Sequence, residues 1–202
     1  MRFKFRMIVG LLMAMGIAAM ADEPRQISLR TIGEVSPELT ARIVSWVSEN
    51  IAPVKDDGAL KTKGKTLSDI AQDVQRPKNV QAVLVLVNQL DDSTRRVVGG
   101  NGVVVLNLGL MRPADLSTEA AKETFIRRVE KESIGGLAAV YGLPVCPFVQ
   151  CAAYSAKTVA DLDEMSRNLC PPCMGKLAEI MEQGSKVGSP KSSAPGAPAS
   201  SP

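Results

Sequence analysis

The chain has 202 residues, with 24 Lys+Arg, 21 Asp+Glu, 45% hydrophobic residues and no histidine. Without imidazole it has no serine-histidine or cysteine-histidine catalytic pair and no histidine-ligated zinc, which leaves lysine, carboxylate or thiolate chemistry to any active site. Arg2, Lys4 and Arg6 supply the whole formal charge of +3, because residues 1–21 contain no acid; the neutral remainder offers no electrostatic case for a nucleic-acid partner.

Those three cations precede an apolar run from Met7 to Met20 that closes on Ala19-Met20-Ala21 before Asp22. A basic start, an apolar stretch and a small-x-small end predict a signal peptide over residues 1–21. The run is also nearly long enough to anchor the chain in a bilayer. On both readings the domain is exported, to the periplasm or the extracellular space, and no stable membrane insertion is expected once a signal is cleaved. Residues 188–202 are rich in Ser, Pro, Ala and Gly, with Lys191 as their one charge, a composition that predicts a disordered tail. A single domain, residues 22–187, lies between.

Within it, Gln26 to Ile32 alternates apolar and polar residues as a short strand does. Ser36-Pro37-Glu38 then opens a helix whose Leu39, Ile43, Val47 and Ile51 form one stripe. Residues 53–66, with four lysines and few apolar positions, read as a solvated loop, followed by a short helix from about Thr66 to Val74. Val80 to Leu90 is a near-continuous aliphatic run, the pattern of a strand covered on both faces. Arg95 to Val98 and Val103 to Leu108 read as two more strands, joined by a hairpin turn at Gly99-Gly100-Asn101-Gly102. No Gly-Lys-Ser/Thr follows that turn to make a phosphate cradle. A long helix is expected from about Ser117 to Tyr141 and a last one from Cys170 to about Gln183. The predicted fold is α/β: a single domain with a mixed, twisted sheet of about four strands, packed against the first and the long helix.

Two features point to chemistry. Gly135 and Gly136 lie inside the long helix, where each costs about 1 kcal/mol relative to alanine, so something there must favour small side chains. Beyond the helix, Cys146-x4-Cys151 and Cys170-x2-Cys173 form two close pairs with 18 residues between them. That spacing suits four thiolates around one structural Zn2+, and an exported chain equally suits two disulfides.

The segment from Lys131 to Cys146, K-E-S-I-G-G-L-A-A-V-Y-G-L-P-V-C, resembles the active-site helix of the archaemetzincins. These are a zinc metallopeptidase family of the metzincin clan, whose segment runs K-E-A-x-H-E-x-x-H-x-x-G-x-x-H-C-x4-C-x-M, with a C-x2-C further on. Lys131, Glu132, Gly142, Cys146, Cys151, Cys170 and Cys173 fall on that pattern, and the likeness covers most of residues 25–175. It implies a metzincin-like fold. Where the family has its three zinc-binding histidines this chain has Gly135, Ala139 and Val145, and where it has the general-base glutamate it has Gly136. The Met-turn position is Ala153, and Glu132 matches a position outside the catalytic set.

Together with the export signal of residues 1–21, the resemblance implies an exported, catalytically inactive archaemetzincin-like protein, a pseudopeptidase with no catalytic residue. Its expected zinc is structural, on Cys146, Cys151, Cys170 and Cys173. Its degenerate catalytic-zinc positions are Gly135, Gly136, Ala139 and Val145, and its expected partner is a peptide or protein held in the cleft. Small residues on that helix face would leave an apolar pocket or let another segment close over it. Two alternatives stand beside this expectation. One is a hydrolase with a rebuilt site drawn from Ser133, Tyr141, Asp161 or Glu164, whose spacing places no nucleophile beside a base. The other is a disulfide-stabilised envelope protein without metal.

Overall fold

In the computed structural model, which describes residues 26–186, the strands β1 (Gln26–Ile32), β2 (Val54–Ala59), β3 (Val80–Val87), β4 (Arg96–Val98) and β5 (Val103–Asn107) form one sheet in the order β2-β1-β3-β5-β4. β1 pairs in parallel with β2 and β3, β3 pairs in parallel with β5, and β4 is antiparallel to β5. The helices are α1 (Pro37–Asn50), α2 (Leu67–Asp73), α3 (Glu119–Val140), α4 (Val159–Glu164) and α5 (Pro171–Lys186). α1 and α3 cover one face of the sheet and α2 the other. The signal peptide expected over 1–21 and the tail expected over 188–202 lie outside the described residues.

The period-2 geometry of β3 explains its unbroken aliphatic run. Ala82, Leu84 and Leu86 point into the core shared with α1 and α3, while Val83, Val85 and Val87 point at Leu67, Ile70 and Ala71 of α2. Helix starts follow local chemistry. The Ser36 hydroxyl accepts from the Leu39 N–H at 3.2 Å, and Pro37 takes the first helical position, where no N–H is needed. The expected hairpin is present: Gly102, at φ +82°, turns the chain between β4 and β5, and Gly99 N–H donates to the Val103 carbonyl at 2.8 Å.

The sheet has five strands rather than four because β2 occupies part of the expected loop. It carries almost no apolar pattern, being held at the sheet edge by backbone bonds such as Ile27 N–H to the Pro53 carbonyl (2.8 Å) and by the Ser28 hydroxyl donating to Asp57 Oδ2 at 2.5 Å. The short helix α4 was also not expected. Its signal was present in Thr158-x-x-Asp161, a capping box in which the Thr158 hydroxyl accepts from Asp161 N–H and the Asp161 carboxylate accepts from Thr158 N–H. Among the described residues no helix is long and apolar enough to cross a membrane.

Candidate functional site

The carboxy-terminal third of the domain folds around the four cysteines. The Sγ atoms of Cys146, Cys151, Cys170 and Cys173 all lie within 4.8 Å of one another, all four are free thiols, and Cys146 and Cys151 are buried. Three backbone turns make this cluster. The loop after α3 brings Cys146 N–H onto the Ala153 carbonyl (3.0 Å), Ala152 N–H reaches the Asn168 carbonyl (2.9 Å), and Cys170 sits just ahead of α5 so that Cys173 falls in its first turn.

The donor set fits a soft, tetrahedral cation. A zinc ion with Zn–S bonds of about 2.3 Å spaces its sulfurs about 3.8 Å apart, and the Cys146–Cys170 separation is 3.8 Å. Backbone amides aim at the sulfurs as well: Cys170 N–H donates to Cys151 Sγ at 3.3 Å, and the Cys173 N–H holds the Cys170 thiol below its ordinary value. Burial pushes the Cys151 and Cys173 thiols up, with neighbouring thiols adding to the rise at Cys173. Four thiolates cannot share so small a volume without a compensating positive charge, and the cluster is close enough to hold a metal.

The archaemetzincin-like cleft has a different content. Gly135 and Gly136 are buried on α3, Ala139 is exposed, and Val145 is 68% exposed in the loop that follows. None of these side chains has a lone pair to give a metal, so the catalytic zinc of the family does not fit these residues. The volume beside the glycines is filled by other groups. A Cβ on Gly135 would stand 2.5 Å from the Ala152 carbonyl oxygen and 2.7 Å from Arg96 Nη1, and a Cβ on Gly136 would meet Val104 Cγ1 at 2.6 Å and Arg96 Cδ at 3.1 Å. The double glycine therefore admits the Arg96 side chain from β4 and the backbone of the cysteine loop. The apolar pocket considered from the sequence is not what lies there; two other segments close over the helix.

Arg96 is fixed by Glu132, one helical turn before the glycines on the same face of α3. Its Nη1 donates to Glu132 Oε2 at 2.7 Å, and Arg95 Nε faces Glu132 Oε1 at 3.3 Å without hydrogen-bond geometry. Arg95 Nη1 and Nη2 each donate once, to the Lys157 and Ala156 carbonyls respectively. Glu132 is 4% exposed, so this is a nearly buried carboxylate between two guanidinium groups. Neither arginine was singled out from the sequence. The signal for them was indirect: an acid and two glycines on one helix face need a long cation from elsewhere to complete them.

The residues of the alternative hydrolytic site are not brought together. The Ser133 hydroxyl is buried and donates to the Val129 carbonyl within α3 at 2.7 Å. Tyr141 Oη donates to Gln81 Oε1 at 2.8 Å, Asp161 caps α4, and Glu164 is exposed at the end of α4. The other buried charges of α3 are structural. Lys131 Nζ donates to the Leu162 and Asp163 carbonyls at 2.8 and 2.9 Å, closing the end of α4, and burial lowers its pKa. Glu130 accepts from Arg167 at 2.9 Å, and the Arg167 guanidinium lies 4.2 Å above the centre of the Trp46 ring, so the lone tryptophan packs α1 against the cysteine segment.

Residues 83–179 match Peptidase family M54. An archaemetzincin of Thermococcus kodakarensis is 32% identical over 78 residues, 39% of this chain and 42% of that protein. One from Pyrococcus furiosus is 28% identical over 85 residues, 42% of this chain and 44% of that protein, so the chain matches less than half the length of these curated relatives. In fold, the archaemetzincin of Methanopyrus kandleri superposes with a TM-score of 0.64 at 18% identity over 82% of this chain and 99% of that one. The Archaeoglobus fulgidus archaemetzincin, solved with malonate, gives 0.62 at 18% identity over 75% and 99%. On these matches residues 83–179 are similar to Peptidase family M54, and the fold is that of the solved archaemetzincins.

Proposed function

We propose that this chain is an exported, non-hydrolytic archaemetzincin-like protein that holds one structural zinc on Cys146, Cys151, Cys170 and Cys173 and binds a peptide in the cleft beside β4. One observation carries the reading: the Arg96 side chain lies across Gly135 and Gly136, where a zinc-binding imidazole and a base would stand. Hydrolysis at zinc needs several lone-pair ligands and a base for its water, and a guanidinium supplies neither. A zinc on four thiolates has a closed coordination sphere and contributes folding free energy.

Peptide binding is supported by the strand edge. β4 is terminal in the sheet, so one side of Arg96–Val98 pairs with no strand among the described residues. Val98 on that strand and Val145 and Phe148 beyond α3 are exposed apolar residues. An open edge suits an extended peptide, which gains main-chain bonds from the strand and a side-chain contact from Val98. Export rests on the pattern of residues 1–21. The test is incubation of the mature protein with unfolded protein substrates, with added zinc and with a chelator. No cleavage under either condition is expected, and metal-dependent, chelator-sensitive cleavage would overturn the reading.

A further inference from the structure

We propose that a cavity on the α2 side of the sheet, away from the cleft beside β4, binds a small organic dianion: two negative charges carried on an apolar body. The site is independent of the peptide-binding reading above. β1 alternates so that Ile27 and Leu29 enter the core under α1 and α3, while Ser28 and Arg30, in register with Val83 and Val85 of β3, point to the α2 side. α2 has only 7 residues, and its Leu67, Ile70 and Ala71 pack on valines of β3 and β5. Ser28 and Arg30 are left to line a cavity of about 510 Å3, together with the chain before α2 and the chain after it. That volume lies within the roughly 300–1,000 Å3 of small-molecule sites and far exceeds the ~30 Å3 of one water, so it suits a molecule with a body rather than a bare ion.

The charged side chains in the lining are Arg30, Lys61, Lys63 and Asp73. Lys61 and Lys63 have no ion-pair partner among the described residues, and Asp73 accepts one long bond, from the Thr62 hydroxyl at 3.4 Å. Asp57, the other acid that acts with Arg30, is matched by Lys55 at 2.9 Å and takes the Ser28 hydroxyl. With Asp57 set against Lys55 and Asp73 against one lining cation, two positive charges remain. The end of α2 does not cancel them, because its Ala71 and Val74 carbonyls accept from the Asn101 amide. Arg30 spends one of its five N–H donors, from Nη1 to the Asp57 carbonyl at 2.9 Å, and the rest have no acceptor among the described residues. That bond orients the guanidinium before a ligand arrives, so its planar fork can meet two anionic oxygens with little loss of freedom. The body of the ligand has its own wall in Val74 and Val83, which are buried, with Leu60 and Pro77 beside them. Phosphate monoesters and dicarboxylates share this chemistry.

The experiment titrates the purified mature chain with phenyl phosphate, phthalate, inorganic phosphate and benzyl alcohol, with affinity read calorimetrically and the site by 15N NMR amide shifts. At least one of the two ring dianions is expected to bind with a Kd of about 1 mM or tighter. It should bind at least about tenfold more tightly than inorganic phosphate, which lacks the body, and than benzyl alcohol, which lacks the charge. The shifts should fall on β1, residues 60–63 and residues 73–77, and the tighter of the two dianions tells a phosphate site from a dicarboxylate site. A double variant, Lys61→Gln with Lys63→Gln, changes only exposed side chains and is expected to weaken binding at least about fivefold; Arg30→Gln should weaken it further. Equal binding of benzyl alcohol would overturn the charge requirement, and equal binding of inorganic phosphate the apolar body. No binding of either ring dianion, shifts confined to other parts of the chain, or full affinity in both variants would overturn the site, while peptide binding beside β4 would be untouched by any of these results.

Discussion

Arg96 Nη1 lies 2.7 Å from the point where a Cβ on Gly135 would stand. The two positions are therefore complementary: the arginine can occupy the cleft because residue 135 has no side chain, and a histidine at 135 could not coexist with this arginine. Glu132 completes the arrangement by accepting from the same nitrogen at 2.7 Å. A cation is thus still present at the archaemetzincin-like site, but it is covalently part of the protein and has no open coordination position.

Gly135→Ala is expected to destabilise the protein by about 1–3 kcal/mol, because the new methyl would stand 2.5 Å from the Ala152 carbonyl oxygen and the loop must move. That loss outweighs the gain of about 1 kcal/mol in helix propensity. Gly175→Ala in α5 is the control. Nothing lies within 4 Å of its Cβ position, so the propensity gain should appear unopposed. Urea unfolding of the three proteins measures both.

Glu132→Gln leaves two guanidinium groups beside a neutral amide. Removing one partner of a nearly buried ion pair is expensive, although the arginine side chains, 15% and 22% exposed, retain some hydration. A loss of about 2–3 kcal/mol is expected from equilibrium unfolding. A double-mutant cycle with Arg96→Gln should recover a coupling of the same sign, and additive effects would show that the pair does not matter to stability.

Chelation of the proposed zinc, or replacement of a ligand as in Cys170→Ser, is expected to lower stability by about 3–4 kcal/mol, or about 6–16 °C in Tm. The core of α1 and α3 is shared with Cys146, Cys151, Leu162, Met165 and Leu169, so their helical signal should be lost in the same lowered transition. Circular dichroism melts with and without chelator check both halves of the statement. A melt unaffected by chelator would contradict it.

The edge strand β2 makes stability pH-dependent. The Ser28 hydroxyl and then Lys55 hold the Asp57 carboxyl below its ordinary value of 3.8. A carboxyl lowered in the folded state contributes stability that is present above the unfolded value and is lost as pH falls through the folded one. Unfolding free energy should therefore decline below about pH 4, and Asp57→Asn should make that acid limb shallower, the lowered carboxyls of Asp69, Asp92, Asp115, Glu123 and Asp161 keeping the rest, while leaving the slope near neutral pH unchanged.

Much of this fold was legible because its elements carry strong local signals. The Val80–Leu90 run could only be a strand covered on both faces, and Ser36-Pro37 marks a helix start at the residue where α1 begins. The strand β2 was not legible because an edge strand needs backbone pairing and one polar anchor rather than an apolar pattern. In the site, the cysteine spacing foretold the cluster, and the glycine pair foretold that something approaches α3 closely. The identity of that group was hidden, since Arg96 lies 39 residues before Gly135 and is brought to it only by the pairing of β4 with β5 beneath α3.

We propose that this chain keeps a cysteine-bound structural zinc and has no catalytic one. Native mass spectrometry of the purified mature chain, grown with zinc present, tests it most directly. One zinc ion per chain is expected, lost on acidification to leave four titratable thiols. A second bound zinc, or a metal-free chain with two disulfides, would contradict it.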